Sequence, residues 1–260
     1  VSSSTGKNIY DYPRYYDLIF GSDWKAEFDF LSRCFERYAK GEVRRLFEPA
    51  CGTGRLIYRF ARAGYEASGL DLNERAVAFC NTRLKKYGLP ASVFVGDMSD
   101  FALKKKVDAG FNTINSFRHL LTEKQAVGHL RCMAAALRKG GIYVLGFHLT
   151  PLVGTTTDEE SWSARRGHLA VNTHMWTTGR DMKAREERCA MTFDIYTPTS
   201  HQQLADEIVF RTYTRKQLDE LLKAVPELEL IAVHDFAYRV EKETLIDDET
   251  EDVVLVLRKR

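Results

Sequence analysis

The chain has 260 residues, 44% apolar and 28% charged, and its 38 basic and 36 acidic residues leave a net charge of +2. That balance excludes an intrinsically disordered chain and leaves no global field to draw the protein to nucleic acid or to anionic membrane. Five cysteines, odd in number, widely spaced and without a CxxC pair, argue against both a disulfide framework and a zinc site. The stretch VSSSTGKNIYDYP lacks the apolar core of a signal peptide, and no run approaches the ~18 apolar residues of a membrane span. A cytoplasmic protein with no membrane partner is expected.

In chain order, Trp24, Phe28, Leu31, Phe35 and Tyr38 recur at helical spacing and Gly41 follows, which predicts an amphipathic leading helix. Short apolar runs then alternate with helical segments. Strands are predicted at VRRLFE, YEASGL, ASVFV, VDAGFN and IYVLGF, with helices over Arg55 to Ala63, Glu74 to Tyr87 and Glu123 to Arg138. Gly64, Gly88 and the pair Gly140 and Gly141 are expected to end helices. Thr122 with Gln125, and Thr214 with Gln217, are capping-box signatures. The second precedes a helix at QLDELLKAV and two last strands, LELIAVHDF and EDVVLVLRK. Such alternation implies an α/β fold, a mostly parallel sheet with helices on both faces.

Between about Thr150 and Tyr213 the helical period gives way to β-type alternation. Leu169, Val171, Thr173 and Met175 share one face of a strand, Cys189, Met191, Phe193 and Ile195 one face of the next, and VFRTY closes the set. The turn TTGRD around Gly179 is expected to join the first two strands. The expected division is therefore 1–149 with 214–260 as a Rossmann-like domain with an N-terminal cover, and 150–213 as an inserted antiparallel sheet on the substrate side.

The stretch EPACGTG places Gly52 and Gly54 after the first strand, where backbone can approach a ligand and turn into a helix whose N–H groups face it. An ordinary tight turn uses the same glycines. A dinucleotide fingerprint wants a third glycine where Ile57 stands, which disfavours a nicotinamide-dependent oxidoreductase. At the second strand tip, GLDLN offers Asp71 to a ribose diol, although an acid there also suits a helix N-terminus. VGDM offers Asp97 to an adenine amino group and Met98 to its ring.

EPACGTG, GLDLN, GDM and VDAGFNTINSF together resemble the successive motifs of class I S-adenosylmethionine-dependent methyltransferases, in their small-molecule branch. The resemblance runs from about Tyr10 to Phe147 and resumes over the last helix and two strands. It implies S-adenosylmethionine as cofactor, a seven-stranded sheet of order 3-2-1-4-5-7-6 and methyl transfer to nitrogen or oxygen of a small-molecule acceptor. By the same resemblance Glu48, Ala50, Gly52 and Gly54 surround the amino-acid moiety. Asp71 and Leu72 surround the ribose and adenine, Asp97 and Met98 the base, and Asn115 belongs to the cofactor side.

The segment FNTINSFRHLL lacks the Asn/Asp-Pro-Pro-aromatic tetrad of enzymes that methylate DNA amino groups, and the chain has no basic stripe. It resembles instead the serine-then-histidine arrangement of small-molecule N-methyltransferases, including those acting on amino sugars, with His119 near the substrate amine. A structural histidine is the alternative there. His148 is a second candidate on position alone. YDYPRYYDLIF resembles the N-terminal cover of that branch, so Tyr15 and Tyr16 are placed either at the sulfonium and acceptor or in a helix core. Trp162, Trp176, Tyr196 and Tyr213 are candidates for an aromatic acceptor pocket, and Arg165, Arg166 and Arg211 for an anion site. For each of these the alternative is a sheet core or a solvated arginine. A binding protein that keeps the cofactor fold without turnover is the other reading of the whole.

Overall fold

In the computed structural model, the described residues are 9–154, 156 and 158–260. The first eight residues of the expected main domain, and Thr155 and Thr157 of the insertion, lie outside them. A 3-10 turn at Ile9–Asp11 leads into α1 (Pro13–Gly21) and α2 (Lys25–Tyr38). Then follow β1 (Arg45–Pro49), α3 (Ile57–Arg62), β2 (Glu66–Asp71), α4 (Glu74–Lys86), β3 (Val93–Val95) and β4 (Val107–Asn112). The chain continues through α5 (Glu123–Ala136), β5 (Leu137–His148), β6 (Glu159–Arg166), β7 (Leu169–Asp181), β8 (Glu186–Thr197) and β9 (Ser200–Arg211). It closes with α6 (Arg215–Lys223), β10 (Leu228–His234) and β11 (Asp252–Lys259).

The seven-stranded sheet has the order β10-β11-β5-β4-β1-β2-β3, with β11 antiparallel to both neighbours and the other pairs parallel. With the inserted strands left out of the count, this is the expected 3-2-1-4-5-7-6. Neighbouring residues split between its two faces as a pleat requires. Phe47, Tyr143, Leu145, Val253 and Leu255 face a core shared with α5 and α6. Leu46, Val144, Val254 and Val256 face the opposite core, with Phe30 and Phe35 of α2, Phe60 of α3 and Leu84 of α4. Both capping boxes form, at Thr122 with Gln125 and at Thr214 with Gln217. Among the described residues no helix is long and apolar enough to cross a bilayer.

Two turn assignments need correction. Gly140 and Gly141 do not end a helix, because α5 stops at Ala136 and the pair lies inside β5. The β4–β5 register slips beside Val107 and Ala109, and a Cβ on Gly140 would stand 2.7 Å from Lys40 Cβ, so bare backbone is needed where the end of α2 presses on the strand. Gly179 is likewise not the hairpin turn. It marks a bulge in β7, and the chain reverses at Met182–Arg185, where Arg185 takes a positive φ of 61°.

The insertion is a meander, β6-β7-β8-β9, with one strand more at its start than VFRTY and the two expected strands supply. Val171, Met191, Phe193 and Ile195 share a core with Ile9, Leu18 and Ile19. The N-terminal turn and α1 therefore pack on the inserted sheet, and the two together roof the tips of the parallel strands.

Candidate active site

Between the strand tips and that roof lies a cavity of about 600 Å³. It runs from the tips of β1 and β2, past β4, to the tip of β5 and the start of β11. The antiparallel course of β11 brings Asp252 beside His148 at that end.

The β1–α3 turn forms one end. Ala50 and Gly52 hold φ of 53° and 54°, and a Cβ on Gly52 would stand 3.1 Å from the ring of Tyr16, so the missing side chain admits the roof as well as a ligand. The Gly52 N–H donates to Asp71 Oδ2 at 2.7 Å and the Asn73 N–H to Asp71 Oδ1 at 2.9 Å. One backbone donor per oxygen fixes the carboxylate and leaves lone pairs for two further donors. Burial raises the Asp71 pKa, while these two N–H groups lower it. Gly54 serves another purpose and does not line the cavity. A Cβ there would fall 2.2 Å from Cys80 Sγ, so its bareness lets the turn seat on α4.

Leu72 is 69% exposed against the cavity, next to Gly96 and the buried Met98. Asp97 does not line the cavity; its Oδ1 accepts the Ser99 N–H at 2.7 Å. Below the turn, a small annex of about 30 Å³ is walled by Glu48, Asn112 and Thr113 and shares Tyr16, Ala50 and Ser116 with the main cavity. Glu48 Oε2, Asn112 Oδ1 and Asn115 Oδ1 are buried acceptors with no donor. An adenosyl sulfonium with an amino-acid tail fits this set. Asp71 has acceptor capacity for ribose hydroxyls, Leu72 and Met98 offer apolar surface to a purine, and the three acceptors left without donors suit an ammonium.

At the β4 tip, Asn115 takes a φ of 43° and starts the 3-10 turn Ser116–His119. His119 lies between the rings of Phe210, at 5.1 Å, and Tyr10, at 6.2 Å. Its Nε2 is 3.4 Å from the Tyr10 hydroxyl. It lines the cavity. Burial, and then the adjacent Arg118 guanidinium, bring its pKa down to about 4. The ring is thus neutral at physiological pH. Burial raises the pKa values of Tyr10 and Tyr16, so both stay phenols. Tyr15 lies outside the wall, half-buried against Tyr12, and Tyr10 and Tyr16 occupy the place expected of it.

Arg118 is buried and holds the turn to the roof. Its Nε donates to the Arg211 carbonyl at 3.1 Å, its Nη2 pairs with Glu187 on β8, and it lies 4.8 Å above the Phe210 ring. Arg180 completes the pair from β7. Despite burial, these two guanidiniums hold the Glu187 carboxyl below its usual range. Nothing in the sequence motifs pointed to this trio, in which Arg118 and Glu187 are buried and Arg180 half-buried, since Arg118 is far from the other two in the chain.

The far end of the cavity carries Trp162 and Trp176, two of the four aromatic candidates, together with His148. Tyr196 and Tyr213 are not in the wall. Tyr196 stacks on His201 at the surface, and Tyr213 is fully buried in the main core. The three arginines suggested for an anion are also engaged elsewhere. Arg165 bonds the Gly167 carbonyl, Arg166 pairs with Asp17, and Arg211 pairs with Glu123.

A methyltransferase-domain family profile matches residues 47–141, the segment that contains the glycine turn and Asp71. A dTDP-3-amino-3,4,6-trideoxy-alpha-D-glucopyranose N,N-dimethyltransferase of Streptomyces venezuelae is 29% identical over 138 residues, 52% of this chain and 56% of that protein. The match thus spans little more than half of that curated relative. Among solved structures, an S-adenosylmethionine-dependent methyltransferase of Clostridium acetobutylicum superimposes with a TM-score of 0.77 at 17% identity, over 97% of this chain and 99% of that one. An amino pentose methyltransferase of Micromonospora echinaspora, solved with S-adenosylmethionine bound, gives 0.73 at 20% identity over the whole of both chains. Residues 47–141 thus match a methyltransferase-domain family, and the chain shares its fold with solved S-adenosylmethionine-dependent methyltransferases.

Proposed function

We propose that the protein transfers a methyl group from S-adenosylmethionine to the nitrogen of a small-molecule amine, amino sugars being the first class to test. The observation that carries this reading is the continuity of one cavity from Asp71, past a neutral His119, to the aromatic wall of the inserted sheet. The nitrogen-methylating relative named above acts on an amino sugar and supports the choice of nitrogen over oxygen.

When bound, the cofactor supplies an electrophilic methyl carbon on a positively charged sulfur. Asp71 and the acceptors at Glu48, Asn112 and Asn115 hold the two ends of that molecule. Tyr10 and Tyr16 close the roof over the reacting centre and exclude water. An amine attacks only through an uncharged nitrogen, so it must lose its proton to solvent before it reacts. A neutral imidazole at His119 accepts a hydrogen bond from the amine N–H and aims the remaining lone pair along the sulfur–carbon axis. The methyl group would pass to that lone pair with the sulfur as leaving group, giving a methylated ammonium and S-adenosylhomocysteine.

The test is release of S-adenosylhomocysteine from purified protein with a panel of amino sugars, alcohols and phenols. Turnover on amines is expected, with His119→Ala lowering kcat by about 100-fold and cofactor affinity little. Turnover confined to phenols or alcohols would overturn the nitrogen assignment.

A further inference from the structure

The walls of the cavity differ in charge from one end to the other. Around Asp71 the wall is polar backbone and aromatic rings. At the far end, the β6 edge, the tip of β5 and the start of β11 bring together Asp158, Glu159, Glu160, Glu251 and Asp252. Arg118 is the only lysine or arginine in the cavity wall among the described residues, and it is consumed by Glu187. Asp158 shares Arg180 with Glu187, Glu159 reaches His174 at 2.8 Å, and Asp252 reaches His148 at 2.9 Å. Three acids at that end therefore lean on histidines or on an arginine already shared.

Glu160 lies on the β6 edge of this wall. It pairs in register with Met175, on the sheet face that also presents Trp162 and Met191 to the cavity. Glu160 is exposed at the cavity mouth; its partial desolvation and the nearby Asp252 raise its pKa, His148 counters them, and Glu251 adds to the rise. A carboxylate crowded by other acids, in a wall shared with the indoles of Trp162 and Trp176, is a complement for an alkylammonium. The ring faces attract the cation while the carboxylates accept its N–H groups. The same wall repels a diphosphate, which needs arginine or lysine donors.

We infer that the acceptor carries a second cationic nitrogen, held at the Glu160 and Trp162 end of the cavity while the reacting nitrogen sits at His119, and that a nucleoside-diphosphate-linked sugar is not the substrate. This rests on the proposed methyl transfer to an amine. It departs from the nucleotide-linked acceptor named for the relative from Streptomyces venezuelae. The division of labour is chemically consistent, since acids beside the reacting nitrogen would keep it protonated and unreactive. At the far end they hold a charge that does not react.

Three acceptors separate the possibilities: a methyl glycoside with one amino group, its diamino analogue, and the mono-amino sugar linked to thymidine diphosphate. Each is assayed for methylation and titrated calorimetrically into the protein saturated with S-adenosylhomocysteine. The diamino sugar should exceed the mono-amino one by about tenfold in kcat/KM and in affinity, with the advantage shrinking as salt rises. The nucleotide-linked sugar should be weakest. Glu160→Gln should bring the diamino-to-mono-amino ratio toward one.

Preference for the nucleotide-linked sugar, or equal use of the two free sugars by the unaltered protein, would overturn the inference and leave methyl transfer standing. Tight, Glu160-dependent binding of the diamine without methylation of any amine would overturn the functional reading and keep the cationic site. An unaltered ratio in Glu160→Gln, with Trp162→Leu also unaltered, would overturn the assignment of the site to this wall.

Discussion

The floor and the roof of the cavity are built by different physics. The floor is backbone: parallel strands end in a turn of positive φ, and Asp71 is fixed by two main-chain N–H groups. The roof is held by side chains that reach across the chain. Asp17 on α1 is buried and pairs with Arg83 at 2.7 Å and Arg166 at 3.0 Å, and it accepts a hydrogen bond from Thr53 at 3.1 Å. Arg118 and Glu187 do the same between β4 and β8. A floor of backbone suits an invariant ligand, and a roof of clasps suits variation of what lies beneath it without disturbing the sheet.

The largest expected effect breaks a clasp. Glu187→Ala leaves Arg118 buried without its carboxylate and should cost about 3–5 kcal/mol of stability, read by thermal or urea unfolding. A loss below about 1 kcal/mol would show that solvent reaches the pair and that the roof is not fastened there. On the floor, Asp71→Ala should weaken S-adenosylhomocysteine binding by about 100-fold in calorimetry, because two charge-assisted hydrogen bonds are lost. The fold should survive it.

A third contrast uses pH. His129 on α5 is fully buried; its Nδ1 donates to the Met98 carbonyl at 2.9 Å and its Nε2 accepts from the Tyr143 hydroxyl at 2.8 Å. Burial brings its pKa down to about 4, against the bond to Met98 and the charge of Asp97, which favour the cation. The unfolded chain binds a proton near pH 6.5 that the folded chain refuses until about pH 4. Stability should therefore be complete above about pH 6.5 and fall as pH drops toward 4, by up to ~3 kcal/mol for this residue. His129→Gln should flatten that limb of the unfolding curve. The smallest effect should come from Asp17→Asn, which loosens α1 without emptying the floor. Cofactor affinity should fall about tenfold, with faster proteolysis of the N-terminal segment.

The same contrast explains what the sequence disclosed. Gly52 and Asp71 were legible because their roles follow from local rules: a strand, a tight turn, an acid at the next strand tip. Thr122 and Thr214 were legible as caps for the same reason. Gly140 and Gly141 were not, since a bulge is set by register with β4 and by Lys40, about a hundred residues away in the chain. Tyr15 and Tyr16 differ by about 100° around α1, and only the packing of α1 on the inserted sheet decides which faces the cavity. The arginines of the insertion looked free because their partners, Asp17 and Glu123, lie in other segments. The acids of the far wall went unremarked because β6, β5 and β11 meet only after folding.

The central claim is that the crevice between β1 and β2 holds an adenosyl sulfonium or its demethylated product. Calorimetric titration of the purified protein with S-adenosylhomocysteine tests it most directly. Saturable binding to one site per chain, weakened in Asp71→Ala, is the expected result. Folded protein that takes up no heat with this ligand would contradict it.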